Sequence, residues 1–496
     1  MDTASSTVPC RCFATNHGLT PSRNRWPDPW LWLCFGLFGV ITFWAVLHHH
    51  PWRDEAQIWT TVRDLGLWDV FGQAPSEGRP PLWELLVMPL AKSGLPYASM
   101  NWLHWALVLV PVCLLLFLAP FPRPVRLLLP FSYYLLFEYS VVARPYVLTA
   151  LLLFGIAALH GARFRHPVGY GMLIALLSWT TVHSIVAACV LAGWFAWDLF
   201  RQREFTWTKA VAVGIPFAAI SAVPILLTPN RTQGLQYYYG WRWLLFSGAA
   251  AIWPGIQRET YRLFWPLALI WIPLALALVR GGRARSILGF SWAWLGFIFL
   301  FKHSGALNHY GLIFLYFLFT WWLGLQEQGG AALRETGIRR AAAGLCVLVV
   351  MAQAVYAAVF YLNHRGRHFS GAAEMAAYMR EAGLEGQELV AYPAYIGTAL
   401  LPYLPTQRIY QMEDGRTTTF MTWTLEYFQG LNMPFPDLYA KMNQVHGGGG
   451  GPEFRLLLCN DSLPPRDDWE LLFENTRPSI KKDEFFRLYR ITRGSR

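Results

Sequence analysis

Long apolar segments with few charges constrain the fold of this 496-residue chain more than any other feature. A helix needs about 20 apolar residues to cross the hydrocarbon core of a bilayer. Only helices and closed barrels satisfy every backbone polar group in lipid, and segments of this length favour helices. We therefore predict a mostly α polytopic membrane protein with about eleven transmembrane helices, at residues 31–47, 101–119, 124–142, 143–160, 169–182, 184–200, 209–228, 261–279, 285–301, 309–325 and 340–361.

Composition and charge support this class. Charged residues make up 14% of the chain, against about a quarter of an ordinary soluble domain. The net charge of +11 reflects membrane topology, because cationic loops stay on the cytoplasmic side. The sequence has no basic stripe with interleaved aromatics, which is the pattern that would predict nucleic-acid binding. The residues placed inside are Arg11, Arg23, Arg25, Arg123, Arg126, Arg163, Arg165, Arg201, Arg203, Lys209, Arg280, Arg283, Arg285, Arg339 and Arg340. The acidic loop 48–100 is then outside, in a multi-pass protein of the inner (plasma) membrane.

A second domain follows the last span, because the composition becomes polar after Tyr361. We divide the chain into a cytoplasmic tail (1–29), a transmembrane domain (30–362) and a small extracytoplasmic α/β domain (363–496). A helix is predicted from Ser370 to Glu381, ending near Gly383. Strands are predicted at 388–392, 408–412, 454–459 and 485–491. The five-glycine run at 447–451 predicts a mobile loop.

The loop after the first span concentrates carboxylates. It begins His48-His49-His50-Pro51-Trp52-Arg53-Asp54-Glu55, and an apolar-periodic stretch then predicts a helix along the interface. Asp54 lies at the start of this helix, where an acidic side chain can cap free backbone amides. An N-cap is therefore the simplest interpretation of Asp54 taken alone.

Two further segments carry ionisable groups on the same predicted face. Residues 77–84 combine two acids and Arg79 with paired prolines that fix the chain before another helix. At the next outer junction, Glu138 and Arg144 flank an otherwise apolar span. Ionisable groups at membrane depth are costly unless paired or hydrated, so they are functional candidates. A structural ion pair between Glu138 and Arg144 is the alternative.

Together these segments resemble the GT-C fold membrane glycosyltransferases, in particular the bacterial set related to protein mannosyltransferases and lipid-A aminoarabinose transferases. Members of that family have an acidic motif in the first outer loop, then a Pro-Pro-Leu element, then an Arg-x-Tyr pattern on a later span. The corresponding residues here are, in order, Asp54-Glu55-Ala56, Arg79-Pro80-Pro81-Leu82-Trp83 and Arg144-Pro145-Tyr146.

The resemblance implies transfer of a hexose or pentose from a polyprenyl-phosphate-linked donor to an extracytoplasmic glycan, lipid or protein acceptor, with inversion. Asp54 would be the general base for the acceptor hydroxyl, and Glu55 would orient the acceptor or tune Asp54. The departing phosphate gathers negative charge, so preorganised cations lower the barrier. The implied phosphate-binding residues are Arg79, Arg144, Lys302 and His309, and Glu138 and Tyr146 would position donor or acceptor.

Several alternatives stay open. Interfacial snorkelling explains Lys302 equally well. A divalent cation at His48–His50 is disfavoured because three adjacent histidines cannot all face one ion from a regular helix, and the sequence requires no cofactor. A transporter or flippase of a lipid-linked saccharide would share the spans and cations, but it favours midplane sites and internal repeats, which this sequence lacks. An inactive envelope-assembly scaffold is the third reading of the same chain.

Overall fold

The computed structural model describes residues 28–202, 206–228, 240–257, 259–327, 337–363, 366–431, 433–434, 436–438, 440–441 and 454–492. The N-terminal tail before Asp28, residues 229–239 and the five-glycine run lie outside the described residues.

Helices dominate residues 28–363, as the hydropathy predicts. Within the described residues, six helices are long and apolar enough to cross a membrane, and three shorter apolar helices accompany them, which makes this a multi-pass membrane protein. The helices are α1 (Pro29–Leu47), α2 (Arg53–Asp64), α3 (Leu67–Glu77), α4 (Leu82–Lys92), α5 (Ala98–Phe117), α6 (Arg123–Leu128), α7 (Tyr146–Leu159), α8 (Pro167–Ser178), α9 (Ile185–Arg201), α10 (Trp207–Leu226), α11 (Arg242–Ala250), α12 (Tyr261–Phe264), α13 (Trp271–Leu278), α14 (Gly282–Phe301), α15 (Leu307–Glu327) and α16 (Gly337–Asn363).

Two predicted spans are not single α-helices, so the count of eleven is not confirmed. Residues 124–142 contain the short α6, a 3-10 turn at 129–131 and a π-helical turn at 134–138. Residues 261–279 contain α12, a 3-10 stretch at 265–270 and α13. Pro130 and Pro266 open the 3-10 stretches, because proline has no amide hydrogen to continue an α-helical ladder.

Helix α15 lies at the centre of the bundle. Its side chains from Tyr310 to Gly324 are buried almost without interruption, and the helix packs against α7 and α14. Lipid can cover an apolar helix as well as protein can, so it is the burial of these side chains by neighbouring helices that places α15 at the centre.

The helix connections gather at two ends of the bundle. At one end, Asp198 of α9 binds Arg163 (3.1 Å) and Arg283 (2.5 Å). At the other end lie α2, α3, α4, residues 138–146, residues 303–309 and the C-terminal region, which we define as residues 366–492. We call this second end the Asp54 end. Residues that the charge pattern assigned to opposite faces therefore separate in space.

The C-terminal region forms a six-stranded sheet with short helices, close to the predicted pattern. Helix α17 (Ala372–Glu381) ends before Gly383, whose φ of +65° favours glycine. Strands β1 (Leu389–Ala391), β2 (Ile409–Gln411), β4 (Phe454–Cys459) and β6 (Arg487–Thr492) confirm the four predicted strands, whereas β3 (Thr417–Thr418) and β5 (Trp469–Glu474) were not predicted. The order is β3-β2-β1-β4-β6-β5, parallel for β2-β1-β4 and antiparallel elsewhere. Short helices α18 (Ala394–Gly397) and α19 (Leu425–Gly430) complete the region.

Candidate active site

The first turn of α2 places Asp54 and Glu55 in different surroundings. The helix begins after Trp52, so Asp54 is its second residue and Glu55 its third. The Glu55 carboxylate accepts a hydrogen bond from the amide of Trp52, the N-cap residue (3.2 Å). This is the bond that an acidic third residue makes in a capping box. The N-cap interpretation of Asp54 is therefore wrong, because Trp52 is the N-cap residue and Glu55 binds its amide.

Glu55 is completely buried and its oxygens are occupied. One accepts from the Ala143 amide (2.7 Å) and the other lies 2.8 Å from Nε2 of His49. Burial raises the pKa of Glu55, but His49 and these backbone donors lower it more, so the pKa stays below its ordinary value. Glu55 thus ties α2 to the segment that carries Arg144.

Asp54 faces outward and meets Arg144. The two side chains form an ion pair, and 35% of the Asp54 side chain stays exposed against 11% of Arg144. Arg144 is held over the rings of Trp52 (5.9 Å) and Tyr146 (5.8 Å). Of the two acids, Asp54 is therefore the one that a substrate can reach.

Burial in the site raises the pKa of Asp54, but nearby cations, Arg144 first, outweigh it and hold the pKa below its ordinary value. The carboxylate is therefore ionised at neutral pH, as a proton acceptor must be.

Arg79 lies in the same cluster but is already neutralised. Its guanidinium bonds to Glu84 (2.8 Å) and approaches Glu77 (3.3 Å), and both carboxylates are largely buried. Glu77 in turn accepts from Gln57 of α2 (2.7 Å). The residues of the Pro-Pro-Leu element thus brace α2 against α3 and α4.

The expected alternative pairing of Glu138 with Arg144 is not formed. Glu138 instead accepts a hydrogen bond from the Tyr133 hydroxyl (3.2 Å), while Arg144 bonds to Asp54. Glu138 still lies close enough to Arg144 to interact electrostatically. It borders the Asp54 site without a direct bond to either catalytic candidate.

His309 and Tyr146 meet on the other flank of Arg144. The two rings lie 5.5 Å apart, and His309 also contacts His183 (4.7 Å) and His303 (5.3 Å). The Ala306 amide donates to Nδ1 of His309 (2.9 Å), so a neutral His309 carries its proton on Nε2, where it can donate to an anion.

Lys302 directly follows α14 at this end of the bundle and is exposed. His183 was not singled out from the sequence.

The C-terminal region closes over the first loop, a contact that the sequence did not reveal. Arg53 bonds to Asp483 (2.5 Å), approaches Glu484 (3.5 Å) and lies over the ring of Tyr395 (4.7 Å). Lys481 lies over Trp52 (3.8 Å). Gln57 exchanges two hydrogen bonds with the backbone of Met421, both 2.8 Å. Side chains of the C-terminal region therefore line the site beside Asp54.

The histidines of the first loop have other partners. His49 binds Glu55, His48 bonds to the Trp44 carbonyl (2.8 Å), and His50 packs on His368 (4.4 Å). Among the residues that the structure describes, no group of three or more His, Cys, Asp or Glu side chains is arranged to hold a metal ion.

No family model and no curated protein matches the chain. Among solved structures it is similar to the aminoarabinose transferase ArnT from Cupriavidus metallidurans, both bound to undecaprenyl phosphate and in the apo state. Each alignment has 13% identity and a TM-score of 0.54, and covers 93% of this chain and 98% of ArnT. The arabinofuranosyltransferase AftD from Mycobacteria is matched at 13% identity and a TM-score of 0.43, over 95% of this chain and 40% of AftD. The chain therefore shares the overall fold of ArnT over almost its full length.

Proposed function

Starting from the GT-C fold that this chain shares with membrane glycosyltransferases, we propose that it transfers a sugar from a polyprenyl-phosphate-linked donor to an acceptor hydroxyl outside the cytoplasm. The observation that carries the proposal is the Asp54–Arg144 pair, an accessible carboxylate held against a buried guanidinium at one end of the helix bundle. A base and a phosphate-binding cation in contact are the two groups that this reaction needs.

In the proposed reaction the acceptor oxygen attacks the anomeric carbon on the face opposite the phosphate. Its proton passes to Asp54 as the new glycosidic bond forms. The bond between the anomeric carbon and the phosphate oxygen breaks, and polyprenyl phosphate leaves with that electron pair. One displacement of this kind inverts the anomeric configuration. Arg144 stabilises the phosphate as its negative charge grows.

The other residues have supporting roles in this proposal. Glu55 is a positioning residue, because its buried carboxylate fixes the start of α2 to Ala143. Tyr146, Glu138 and His309 lie around Arg144 and would border the donor phosphate. Lys302 is exposed just after α14 and would meet the phosphate from the membrane surface. Arg79 contributes less to the phosphate than Arg144 does, because Glu77 and Glu84 already balance its charge.

The activity test uses the full-length protein purified in detergent. It is supplied with undecaprenyl-phosphate-linked hexoses and pentoses and an envelope extract as acceptor, and release of undecaprenyl phosphate is measured by mass spectrometry. We expect release that depends on both the donor and the acceptor. In parallel, envelope glycans and glycoproteins are compared with and without the gene, and loss of one sugar identifies the product class. If the protein moves the donor from one leaflet of a liposome membrane to the other without cleaving it, the flippase interpretation replaces this one.

A further inference from the structure

The cations of the Asp54 end differ in what already neutralises them. Arg144 is paired with Asp54, and Arg53 with Asp483 and Glu484. Arg79 is paired with Glu77 and Glu84. Each of these guanidinium groups must therefore share its charge between a protein carboxylate and any incoming anion.

Lys481 of the C-terminal region forms no ion pair with a carboxylate of the described residues. Its ammonium lies 3.8 Å from the centre of the Trp52 ring and 5.3 Å from that of Phe369. No carboxylate among the described residues lies within 4.0 Å of its ammonium, although Lys481 interacts electrostatically with Asp54 and Glu138. An ammonium held by aromatic faces alone keeps hydrogen-bond donors for a further acceptor.

The backbone around Lys481 fixes the side chain in this place. The Lys481 amide donates to the Phe369 carbonyl (3.1 Å), and the Ile480 amide donates to the His368 carbonyl (2.9 Å). The Glu484 amide donates back to the Lys481 carbonyl (2.8 Å). The lysine is therefore anchored to the segment that follows α16, directly beside the start of α2.

We propose that Lys481 binds the phosphate group of the lipid-linked donor, so that the site is completed by the C-terminal region. The inference rests on the proposed function and extends it to a residue outside the three motifs. A lysine ammonium is a compact point charge suited to phosphate oxygens. Arg144 is ion-paired with Asp54, whereas Lys481 interacts with Asp54 only at longer range, so the ammonium of Lys481 keeps its hydrogen-bond donors for the departing phosphate.

The test measures binding rather than turnover, with undecaprenyl phosphate as the probe and uncharged undecaprenol as the control ligand. Lys481→Met keeps the apolar stem over Trp52 and removes the charge. We expect about a ten- to hundredfold loss of affinity for undecaprenyl phosphate and unchanged affinity for undecaprenol. Lys481→Arg should recover part of the loss. Lys482→Met is the matched control, because Lys482 is the adjacent exposed lysine, and it should bind as the wild type does.

A second measurement needs no variant. In the wild-type protein, undecaprenyl phosphate should protect the Lys481 amine from acetylation by an activated ester, followed by peptide mass spectrometry, while undecaprenol gives no protection and Lys482 reacts equally throughout. Equal affinity of Lys481→Met and wild type for the lipid phosphate, or no protection of Lys481, overturns this inference alone. A wild-type protein that binds the phosphate no better than the alcohol overturns the proposed donor class as well.

Discussion

Two adjacent acids of the same motif have opposite environments, and this difference decides their roles. Asp54 is one-third exposed and paired with a cation, whereas Glu55 is sealed beneath the first turn of α2. A carboxylate that is both ionised and accessible can take a proton from a substrate, and one whose oxygens are filled by backbone donors cannot. The pair therefore combines a proposed base with the residue that holds it in place.

Asp54→Asn separates the base from a purely structural role. The amide keeps the size of the side chain and can still accept a hydrogen bond from Arg144, but it leaves the buried guanidinium without its counter-charge. The unfolding temperature should therefore fall, and transfer is compared per folded protein. Transfer should fall by at least about a hundredfold, because an amide cannot take up the hydroxyl proton. Asp64→Asn, at the far end of the same helix and bonded to Arg63, is the matched control and should keep its activity. Full turnover by Asp54→Asn would remove the catalytic assignment.

Arg144 should affect both donor use and the pH profile. Burial raises the pKa of Asp54 and Arg144 is the main cation that lowers it. A base works only when deprotonated, so activity is lost as the pH falls through this pKa. In Arg144→Ala we expect weaker use of the donor and an acid limb of kcat/KM shifted to higher pH. Arg144→Lys should show smaller changes in both, because a point charge replaces only part of the guanidinium fork. An unshifted acid limb in Arg144→Ala would contradict the coupling between the two residues.

At the scale of elements, the start of α2 connects the first loop to two distant segments. Glu55 joins it to Ala143 before α7, and Arg53 joins it to Asp483 and Glu484 of the C-terminal region. A change in any of these contacts moves the first turn of α2 and hence Asp54. The position of the proposed base therefore depends on three parts of the chain.

Glu55→Gln tests the first of these connections. The amide nitrogen of the new glutamine must face either His49 or one of the two backbone donors, the amides of Ala143 and Trp52. One buried hydrogen bond is therefore lost, at a cost of about 1–3 kcal/mol. We expect a lower unfolding temperature, and transfer by the folded fraction that falls less than in Asp54→Asn. The control is Glu381→Gln at an exposed position of α17. A Glu55→Gln variant as stable as the control would show that this contact contributes little.

Glu484 should make the second connection sensitive to pH. The carboxyl is fully buried against Arg53, and burial raises its pKa from 4.5 to about 7. The folded protein thus holds this proton at a pH where the unfolded chain has released it. Its contribution to stability is complete below about pH 4.5 and is lost as the pH rises through 7, an effect on the order of 3 kcal/mol.

Glu484→Gln should abolish this dependence while keeping an acceptor for the Arg53 amide. Thermal unfolding of wild type and variant is compared at pH 5, 6.5 and 8. As the pH rises, the unfolding temperature of the wild type should fall relative to that of Glu484→Gln. The unfolding temperature of Glu381→Gln should change with pH as that of the wild type does. A difference that is constant across this range would mean that Glu484 does not titrate there.

At the scale of the whole molecule, the two ends of the helix bundle carry different chemistry. The Arg163–Asp198–Arg283 network marks one end and the Asp54 site the other. The charge rule assigns the first to the cytoplasm and the second to the outside. This assignment stays a prediction, and it fixes the side of the membrane on which transfer would occur.

Reporter fusions test this orientation directly. A reporter fused after Arg203 should be active inside the cell, and one fused after Arg496 outside, because the first position follows a cationic turn and the second follows the acidic end of the bundle. A fusion after Arg165 serves as a second inner control, since the same rule places it in the cytoplasm. Activity of the Arg203 and Arg496 fusions on the same side would contradict the predicted topology.

Local patterns in the sequence predict the class of protein and most of its elements. Apolar length predicts the membrane helices, and alternation predicts four of the six strands, because both depend on residues close together in the chain. The three motifs also predicted the GT-C fold, which the structural similarity to ArnT confirms.

The assembly of the site depends on contacts that appear only in the folded chain. In the fold, Arg144 pairs with Asp54 rather than with Glu138. Glu55, not Asp54, binds the backbone amide at the N-terminus of α2. The fold also brings Glu484 onto Arg53, 431 residues away in the chain, and Lys481 onto Trp52. Local sequence carries no signal for such contacts, because the charges that meet in space are chosen by the packing of the helix bundle against the C-terminal region.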